Sequence, residues 1–193
     1  MCFHFKQSKS DKEFREKNFN GRPLKGIYNG FGFPAVTTVA DDDPYFLKKM
    51  NWGLIPNWAK TDGIRKFTLN ARYETINTKP SFKMARRCLI FSDGFFEWKW
   101  IDAQGKRKQK YLVEYPTSEL FAFAGLYDNW MNMLTGEIMT TCCIVTNEAI
   151  GIIRENHNSK YRMPITLNEY QQEKWLSKKE INFFSDFRLI NYR

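Results

Sequence analysis

The sequence predicts an α+β fold in which an antiparallel β-sheet dominates and the helices are few and peripheral. Apolar residues make up 42% of the 193 residues and aromatic residues 17%, which is enough for a packed core and too much for a disordered chain. The second half of the chain consists largely of short apolar runs bounded by turn residues, the pattern of β-strands. Because the sequence has no internal repeat, low-complexity tract or Gly/Ser linker, we expect one domain over residues 1–193.

The first half of the chain predicts two short helices separated by a loop-rich stretch. Ser8–Phe19 is polar and compatible with a helix that Ser10 or Asp11 caps. Gly21–Val39 is rich in Gly and Pro, which indicates a loop with one short extended piece. Asp43–Met50 opens with Asp-Pro and predicts a second short helix.

From position 88 onward the pattern favours strands. Five runs are apolar or aromatic and end at turn residues: Cys88–Ser92, Phe95–Ile101, Tyr111–Tyr115, Leu120–Ala124 and Thr140–Thr146. Near the end of the chain, Thr166 predicts the cap of a helix that runs to Leu176.

A polar loop between two of these runs indicates a hairpin. Ile101 and Lys110 flank the loop, which contains Gly105. Residues 105–110, Gly-Lys-Arg-Lys-Gln-Lys, form a basic finger at the tip. Two interpretations are open, a solvated turn or a contact with phosphate groups.

The formal net charge of +9 and the isoelectric point near 9.4 favour a polyanionic partner, with nucleic acid first and an acidic membrane second. A lysine-rich surface can also simply serve solubility. The sequence has no apolar stretch near the ~20 residues that span a bilayer and no signal-peptide core, so we expect a soluble cytoplasmic protein.

Four cysteines occur, and one of them has an unusual position. Cys88, Cys142 and Cys143 lie in apolar runs, where a small buried thiol is the ordinary role. Cys2 directly follows Met1, so removal of Met1 would place an α-amine and a thiol on adjacent carbons. An aldehyde condenses with such an amine, and the thiol then closes a thiazolidine ring; the reference pKa values, about 8 for the amine and about 8.5 for the thiol, suit this chemistry. A cysteine at position 2 can also occur by chance.

Two ionisable residues are candidates for proton transfer. Glu97 lies among aromatic residues, where desolvation would raise its pKa; alternatively, it belongs to the outward face of a strand. His157 lies in a polar run and is either functional or an exposed loop histidine. With two histidines and no zinc-type spacing in the sequence, we expect no metal site.

Two further segments contain candidate ligand-binding groups. Asn70 and Arg72 lie in Asn-Ala-Arg-Tyr-Glu-Thr, where Arg72 can clamp a phosphate and Asn70 can alternatively cap a helix. Trp52 precedes a Gly/Pro turn and either stacks on a base or fills the core.

Six segments, in this order, resemble the SOS-response-associated peptidase family, whose members shield abasic sites by cross-linking to DNA. They span residues 2–164: Met1-Cys2, Trp52-Gly-Leu-Ile-Pro, Asn70-Ala-Arg-x-Glu-Thr, Gly94-Phe-Phe-Glu-Trp, Phe123-Ala-Gly-Leu-Tyr, and His157 with Arg162-Met-Pro. The resemblance implies a compact, β-rich, barrel-like α+β domain with a basic channel for single-stranded DNA.

The resemblance also implies catalytic roles. Cys2 corresponds to the nucleophile that forms the thiazolidine, and Asn70 to the amide that holds the reactive end. Glu97 and His157 correspond to the acid–base residues, although four residues separate His157 from Arg162 where the family usually has one. The chemistry needs no metal or organic cofactor, and a monomer is sufficient.

The implied DNA-binding residues are Arg72, Arg162, Trp52 and His4. Arg72 and Arg162 correspond to contacts with the DNA backbone. His4 stands where the family often has an arginine, so we expect it to supply part of that phosphate contact. The predicted partner is single-stranded DNA that contains an abasic site.

Two other functions are consistent with the same residues. A cysteine peptidase would use Cys2 and His157 on peptide bonds. A non-catalytic reader would bind single-stranded or modified DNA through charge and stacking alone.

Overall fold

The computed structural model describes residues 1–156, 160–182 and 187–192, and within them the chain is β-rich with short helices. The strands of the described residues are β1 His4–Gln7, β2 Gly26–Asn29, β3 Ala35–Ala40, β4 Asp43–Trp52, β5 Asn70–Arg72, β6 Arg86–Ser92, β7 Gly94–Trp100, β8 Lys108–Glu114, β9 Phe121–Met131, β10 Ile138–Glu148, β11 Arg162–Pro164, β12 Thr166–Leu167 and β13 Arg188–Asn191. The helices are α1 Asp11–Glu16, α2 Gly151–Asn156 and α3 Glu169–Leu176, with 3₁₀ turns at Gly30–Gly32, Asp62–Phe67 and Tyr73–Thr75. The predicted α+β class is confirmed.

Five strands close into a barrel in the order β4, β3, β6, β9, β10. Four of the five junctions are antiparallel, and the barrel closes where β10 runs parallel to β4, with Thr141 opposite Asn51. Closure satisfies the backbone groups that a sheet edge would leave unpaired. The barrel-like expectation is therefore confirmed.

A second sheet of five antiparallel strands carries the N-terminal residues. Its order is β13, β8, β7, β1, β2, so that β1 lies between two partners. Phe5 is opposite Phe95 of β7 on one side and Tyr28 of β2 on the other. The residues immediately before β1 are thereby held at one end of this sheet.

Phe5 joins the second sheet to the barrel. Its ring centroid lies 5.0 Å from that of Tyr28, 5.2 Å from Trp52 and 5.5 Å from Phe123 of β9. Phe5 is fully buried, and burying a Phe side chain stabilises a fold by about 1.5–3 kcal/mol. The packing fixes β1 on the barrel.

The local predictions have mixed outcomes. The helix predicted within residues 8–19 is confirmed as α1, with a capping box in which Glu13 accepts from the backbone and hydroxyl of Ser10. The predicted C-terminal helix is also confirmed, but its cap is Asn168, whose side chain accepts from the Gln171 amide; Thr166 lies in β12.

The helix predicted for Asp43–Met50 is wrong, because these residues form the first part of β4. They pair with β3 along most of their length, with Thr37 opposite Lys49 and Val36 opposite Met50. Closing the barrel needs this strand, so long-range pairing overrides the local start signal of Asp-Pro.

Candidate active site

Residues 1–3 lie where three elements converge. The Met1 α-amine donates to the Arg162 carbonyl of β11 at 3.1 Å. The Asn70 side-chain amide of β5 donates to the Cys2 carbonyl at 2.8 Å, and β7 contributes Glu97. Cys2 is completely buried. The structure thus brings together three of the four predicted catalytic residues, Cys2, Asn70 and Glu97.

A largely buried ion-pair network fixes β1 relative to the turn between β6 and β7 and to β8. Lys6 of β1 donates to Asp93 at 2.9 Å, and its ammonium lies 3.6 Å from Glu114. Asp93 also accepts from the Ser8 amide at 2.9 Å and the Ser8 hydroxyl at 2.6 Å. Charge-assisted hydrogen bonds of this kind hold geometry well. They set the register that places the N-terminal residues beside Glu97.

Glu97 titrates near neutral pH. Burial raises the pKa of its carboxyl to about 7, against the opposing effects of the positively charged N-terminal amine and a backbone hydrogen bond from Trp98. A carboxyl group with this pKa can both accept and return a proton at physiological pH. These surroundings support the acid–base interpretation of Glu97, which stays a prediction.

The amine and the thiol beside Glu97 are also perturbed by burial. Burial lowers the pKa of the Met1 α-amine, an effect that the charge of Glu97 opposes. Burial and the charge of Glu97 raise the pKa of the Cys2 thiol. The sulfur donates to the His4 carbonyl, with Sγ and O 3.7 Å apart. With Met1 in place, Cys2 is therefore a buried neutral thiol.

Asn70 is part of a strand, so the alternative of a helix cap is wrong. β5 pairs with β10, and Asn70 lies opposite Ile144. Its amide nitrogen holds Cys2, while its Oδ1 is buried without a hydrogen-bond partner among the described residues. An unused buried acceptor costs about 1–3 kcal/mol, so this oxygen is poised to receive a donor.

The predicted DNA contact of Arg162 is not supported by its surroundings. Its guanidinium makes a bidentate pair with Glu74, at 2.7 and 2.9 Å, and donates to the Thr146 carbonyl. The side chain is only 11% exposed. A phosphate would have to compete with Glu74 for this guanidinium, so the phosphate contact of Arg162 stays a prediction that this geometry does not favour. Its carbonyl holds the N-terminal amine, and its side chain joins β11 to the turn after β5.

The other predicted DNA-binding residues differ in accessibility. Trp52 is completely buried and donates from Nε1 to the Leu69 carbonyl at 2.9 Å, so the base-stacking prediction is wrong and the core-filling alternative holds. Arg72 is exposed on β5, and its phosphate contact stays a prediction.

His4 is half-buried beside Trp98, with ring centroids 5.0 Å apart. Burial, together with the nearby charge of Lys110, lowers the pKa of its imidazole. Its Nδ1 is buried without a hydrogen-bond partner in the described part of the chain. At neutral pH the ring is therefore uncharged and can contribute a hydrogen bond, not the charge of an arginine.

His157 lies outside the described residues, so the structure does not place it. Sequence reasoning also missed two contributors, Glu74 and the Arg162 carbonyl. Glu74 could have been predicted from the sequence, because it belongs to the same short motif as Asn70 and Arg72. The Arg162 carbonyl could not have been predicted, because its position depends on the pairing of β10 with β11.

Comparison with known proteins decides the family. The family model described as "SOS response associated peptidase (SRAP)" matches residues 1–186. The chain belongs to this family. It is 38% identical over 147 residues to the abasic site processing protein YoqW of Bacillus subtilis, a match that covers 75% of this chain and 63% of YoqW. It is 30% identical over 181 residues to the abasic site processing protein HMCES of Gallus gallus, covering 80% of this chain and 52% of that one.

Solved structures of two bacterial proteins share the fold of this SRAP chain. A Bacteroides thetaiotaomicron protein superposes with a TM-score of 0.81 at 33% identity, over 91% of this chain and 81% of its own. A Bordetella bronchiseptica protein gives 0.80 over both full chains at 18% identity, which supports the fold alone. The chain spans between about half and two thirds of the curated relatives named above.

Two other kinds of site are absent from the described residues. None of the helices there has the length and apolar character needed to cross a membrane. No group of three His, Cys, Asp or Glu side chains in the same residues is arranged to hold a metal ion.

Proposed function

We propose that this chain processes abasic sites in single-stranded DNA by capturing the ring-opened sugar on Cys2 after Met1 has been removed. The observation that carries the proposal is the buried cluster of Cys2, its Asn70 anchor, Glu97 and the N-terminal amine. The names of the Bacillus and Gallus relatives, abasic site processing proteins, support the same substrate.

The capture proceeds in two bond-forming steps. The neutral α-amine of Cys2 attacks the aldehyde carbon of the open sugar, and loss of water gives an imine. The thiol then adds across the C=N bond: sulfur bonds to carbon, and the thiol proton ends on nitrogen. The product is a thiazolidine, and the overall reaction releases one water molecule. Because an imine at an abasic site also permits elimination of phosphate, weak lyase activity is an expected side reaction.

Glu97 carries the protons in this scheme. Its carboxylate takes a proton from the α-ammonium group, which frees the nucleophile, and returns it to the departing hydroxyl. Asn70 holds the Cys2 carbonyl, so that the amine and the thiol face the same carbon. By the family resemblance, His157 donates to the ring oxygen as the sugar opens.

Removal of Met1 is a strict requirement, because an amide nitrogen cannot form the imine. In the present form the Met1 amine lies on the Arg162 carbonyl and beside Glu97. After removal, the new amine belongs to Cys2 and lies in the same cluster. Intact-mass analysis of protein made in cells should therefore give the mass without Met1; retention of Met1 in the whole population would rule the chemistry out.

The decisive experiment uses a single-stranded oligonucleotide with one abasic site. We expect an adduct with the wild-type protein that survives denaturing electrophoresis and boiling. Cys2→Ala keeps the amine but lacks the thiol, so it should give an adduct only when borohydride reduces the imine. A stable adduct with Cys2→Ala would contradict the thiazolidine.

The same experiment separates the alternative functions. Binding without an adduct, with or without borohydride, would indicate a non-catalytic reader. Cys2-dependent hydrolysis of added peptides, again without an adduct, would indicate a peptidase.

A further inference from the structure

The outer part of the β7–β8 hairpin, residues 99–110, is more basic than the other strands of its sheet. Between positions 99 and 110 the chain has five Lys or Arg residues and a single acidic residue, Asp102. The hairpin extends from Glu97, which lies at the site, to the basic finger at its tip. A cationic surface that starts at the site suits a polyanion that enters it.

Aromatic rings and cations form two neighbouring rows on one face of this hairpin, the rings on β7 and the cations on β8. Trp98 is directly opposite Lys110, and Trp100 is directly opposite Lys108. Residues opposite each other in an antiparallel pair share a face, and so do residues two apart along a strand. The four side chains therefore form one surface, on the opposite face of β7 from Glu97. His4 joins this surface to the site, because its ring contacts Trp98 and its backbone carbonyl accepts from the Cys2 thiol.

Lys110 is held in a preorganised position. Its ammonium lies 4.1 Å from the ring centre of Phe96, 4.6 Å from that of Tyr192 and 5.8 Å from that of Trp98. Tyr192 follows β13, which pairs with β8, so the C-terminal strand helps to build this enclosure. Cation–π contacts fix the charge without neutralising it, so Lys110 can still attract a phosphate.

The finger at the tip is also ordered. The Asp102 carboxylate accepts from the Lys106 and Arg107 amides, both at 2.8 Å. Gly105 has a φ of +67° and packs so closely on the Trp100 ring that a Cβ would come within 2.6 Å of it. The glycine and the aspartate thus fix the shape of the tip, while Lys106 and Arg107 stay exposed to solvent.

We infer that this face of the hairpin binds the single-stranded DNA on one side of the abasic residue. The face consists of Trp98, Trp100, Lys108 and Lys110, together with the tip residues Lys106 and Arg107. The inference rests on the proposed function. A row of cations beside a row of rings matches a single strand, because the cations bind phosphates and the rings accept bases of any sequence. An anionic membrane would use the charges but not the pairing of each cation with a ring.

The test compares Lys108→Gln/Lys110→Gln with the matched control Lys178→Gln/Lys179→Gln, which removes two exposed charges beyond α3. Binding is measured with three oligonucleotides: one extends only 5′ of the abasic residue, one only 3′, and one has a single nucleotide on each side. For one of the two extended strands, we expect the hairpin variant to reduce the slope of log K against log salt by about 1.4, that is, about 0.7 per lost phosphate contact. The short oligonucleotide and the control variant should show no such change.

The inference would be overturned if the hairpin variant reduced the salt slope equally for both extended strands or did not reduce it at all. The same reduction in the control variant would also overturn it. So would a hairpin variant that loses binding to anionic lipid vesicles while its DNA binding is unchanged. The proposed function is tested separately, by adduct formation of the wild type at saturating protein. If the wild type forms no adduct with any of the three oligonucleotides, the proposed function fails, whatever the salt slopes are.

Discussion

Burial and electrostatic attraction shift the pKa values of Glu97 and of the Met1 α-amine in opposite directions. Burial favours the uncharged form of both groups, whereas each charge favours that of its partner. The balance leaves Glu97 with a pKa of about 7. A carboxyl group and an amine in this state can exchange a proton at little cost, which is what imine formation needs.

Glu97→Gln should slow adduct formation by about 10²–10⁴-fold at pH 8, the usual contribution of a general acid–base residue. In the wild type, the rate should rise as the pH increases through about 7, because the carboxylate is the form that accepts the amine proton. Single-turnover rates from pH 5.5 to 8.5 would check this, with the exposed Glu137→Gln as control. A variant that keeps the wild-type pH profile would show that Glu97 is not the titrating group.

The same shift makes a prediction about stability. Folding raises the pKa of Glu97. The contribution of Glu97 to the free energy of unfolding is therefore fully present below pH 4.5 and is lost as the pH rises through about 7. The loss is roughly 3 kcal/mol from the shift in pKa. Urea unfolding should therefore show that Glu97→Gln gains stability relative to the wild type between pH 4 and pH 8. A difference that does not change with pH would contradict the buried position of the carboxyl.

At the scale of elements, the two anchors of the N-terminal residues are on strands that an ion pair joins. Asn70 lies on β5 and the Arg162 carbonyl on β11, with β10 between them. The Glu74–Arg162 pair spans β10 and connects the 3₁₀ turn after β5 to β11. We therefore treat Glu74 and the Arg162 side chain as positioning groups.

Glu74→Gln and Arg162→Gln should slow adduct formation by similar factors without changing the salt slope of DNA binding. Arg72→Gln, which removes an exposed charge on β5, should reduce that slope by about 0.7 and leave the saturated rate nearly unchanged. The charge-reversed pair Glu74→Arg/Arg162→Glu should recover part of the lost rate if the pair acts as a brace. A salt slope reduced by Arg162→Gln alone would instead restore Arg162 as a phosphate contact.

The sequence could predict elements whose signal is local. The strands around Cys88–Ser92 and Thr140–Thr146 are apolar runs between turns, and the structure has strands there. The helix prediction for Asp43–Met50 was wrong because these residues become a strand by pairing with β3, and the end of the same strand pairs with β10. Order along the chain identified Cys2, Asn70 and Glu97, but the bond between Asn70 and Cys2 joins residues 68 positions apart. Such a contact follows from the fold, and local patterns do not contain it.

At the scale of the whole molecule, the barrel depends on the close approach of β6 to β9. Cys88 lies directly opposite Gly125, and Trp175 of α3 donates from Nε1 to both of their carbonyls, at 3.0 and 3.2 Å. Trp175 is completely buried, so it fixes the helix on this strand pair. Gly125 of β9 is therefore packed closely against both β6 and the Trp175 side chain of α3.

Gly125→Ala should destabilise the fold by about 1–3 kcal/mol, the usual cost of an overpacked core. The added Cβ would lie 2.7 Å from the Cys88 sulfur and 3.0 Å from the Ile90 side chain. Cys88→Ala removes the nearer obstacle, so the double variant should lose less stability than the two single variants combined, with a coupling of about 0.5–3 kcal/mol. Gly32→Ala is the matched control, because a Cβ there meets nothing within 4 Å. Urea unfolding midpoints measure all four variants, and strict additivity of Gly125→Ala and Cys88→Ala would show that β6 and β9 can separate without disturbing the barrel.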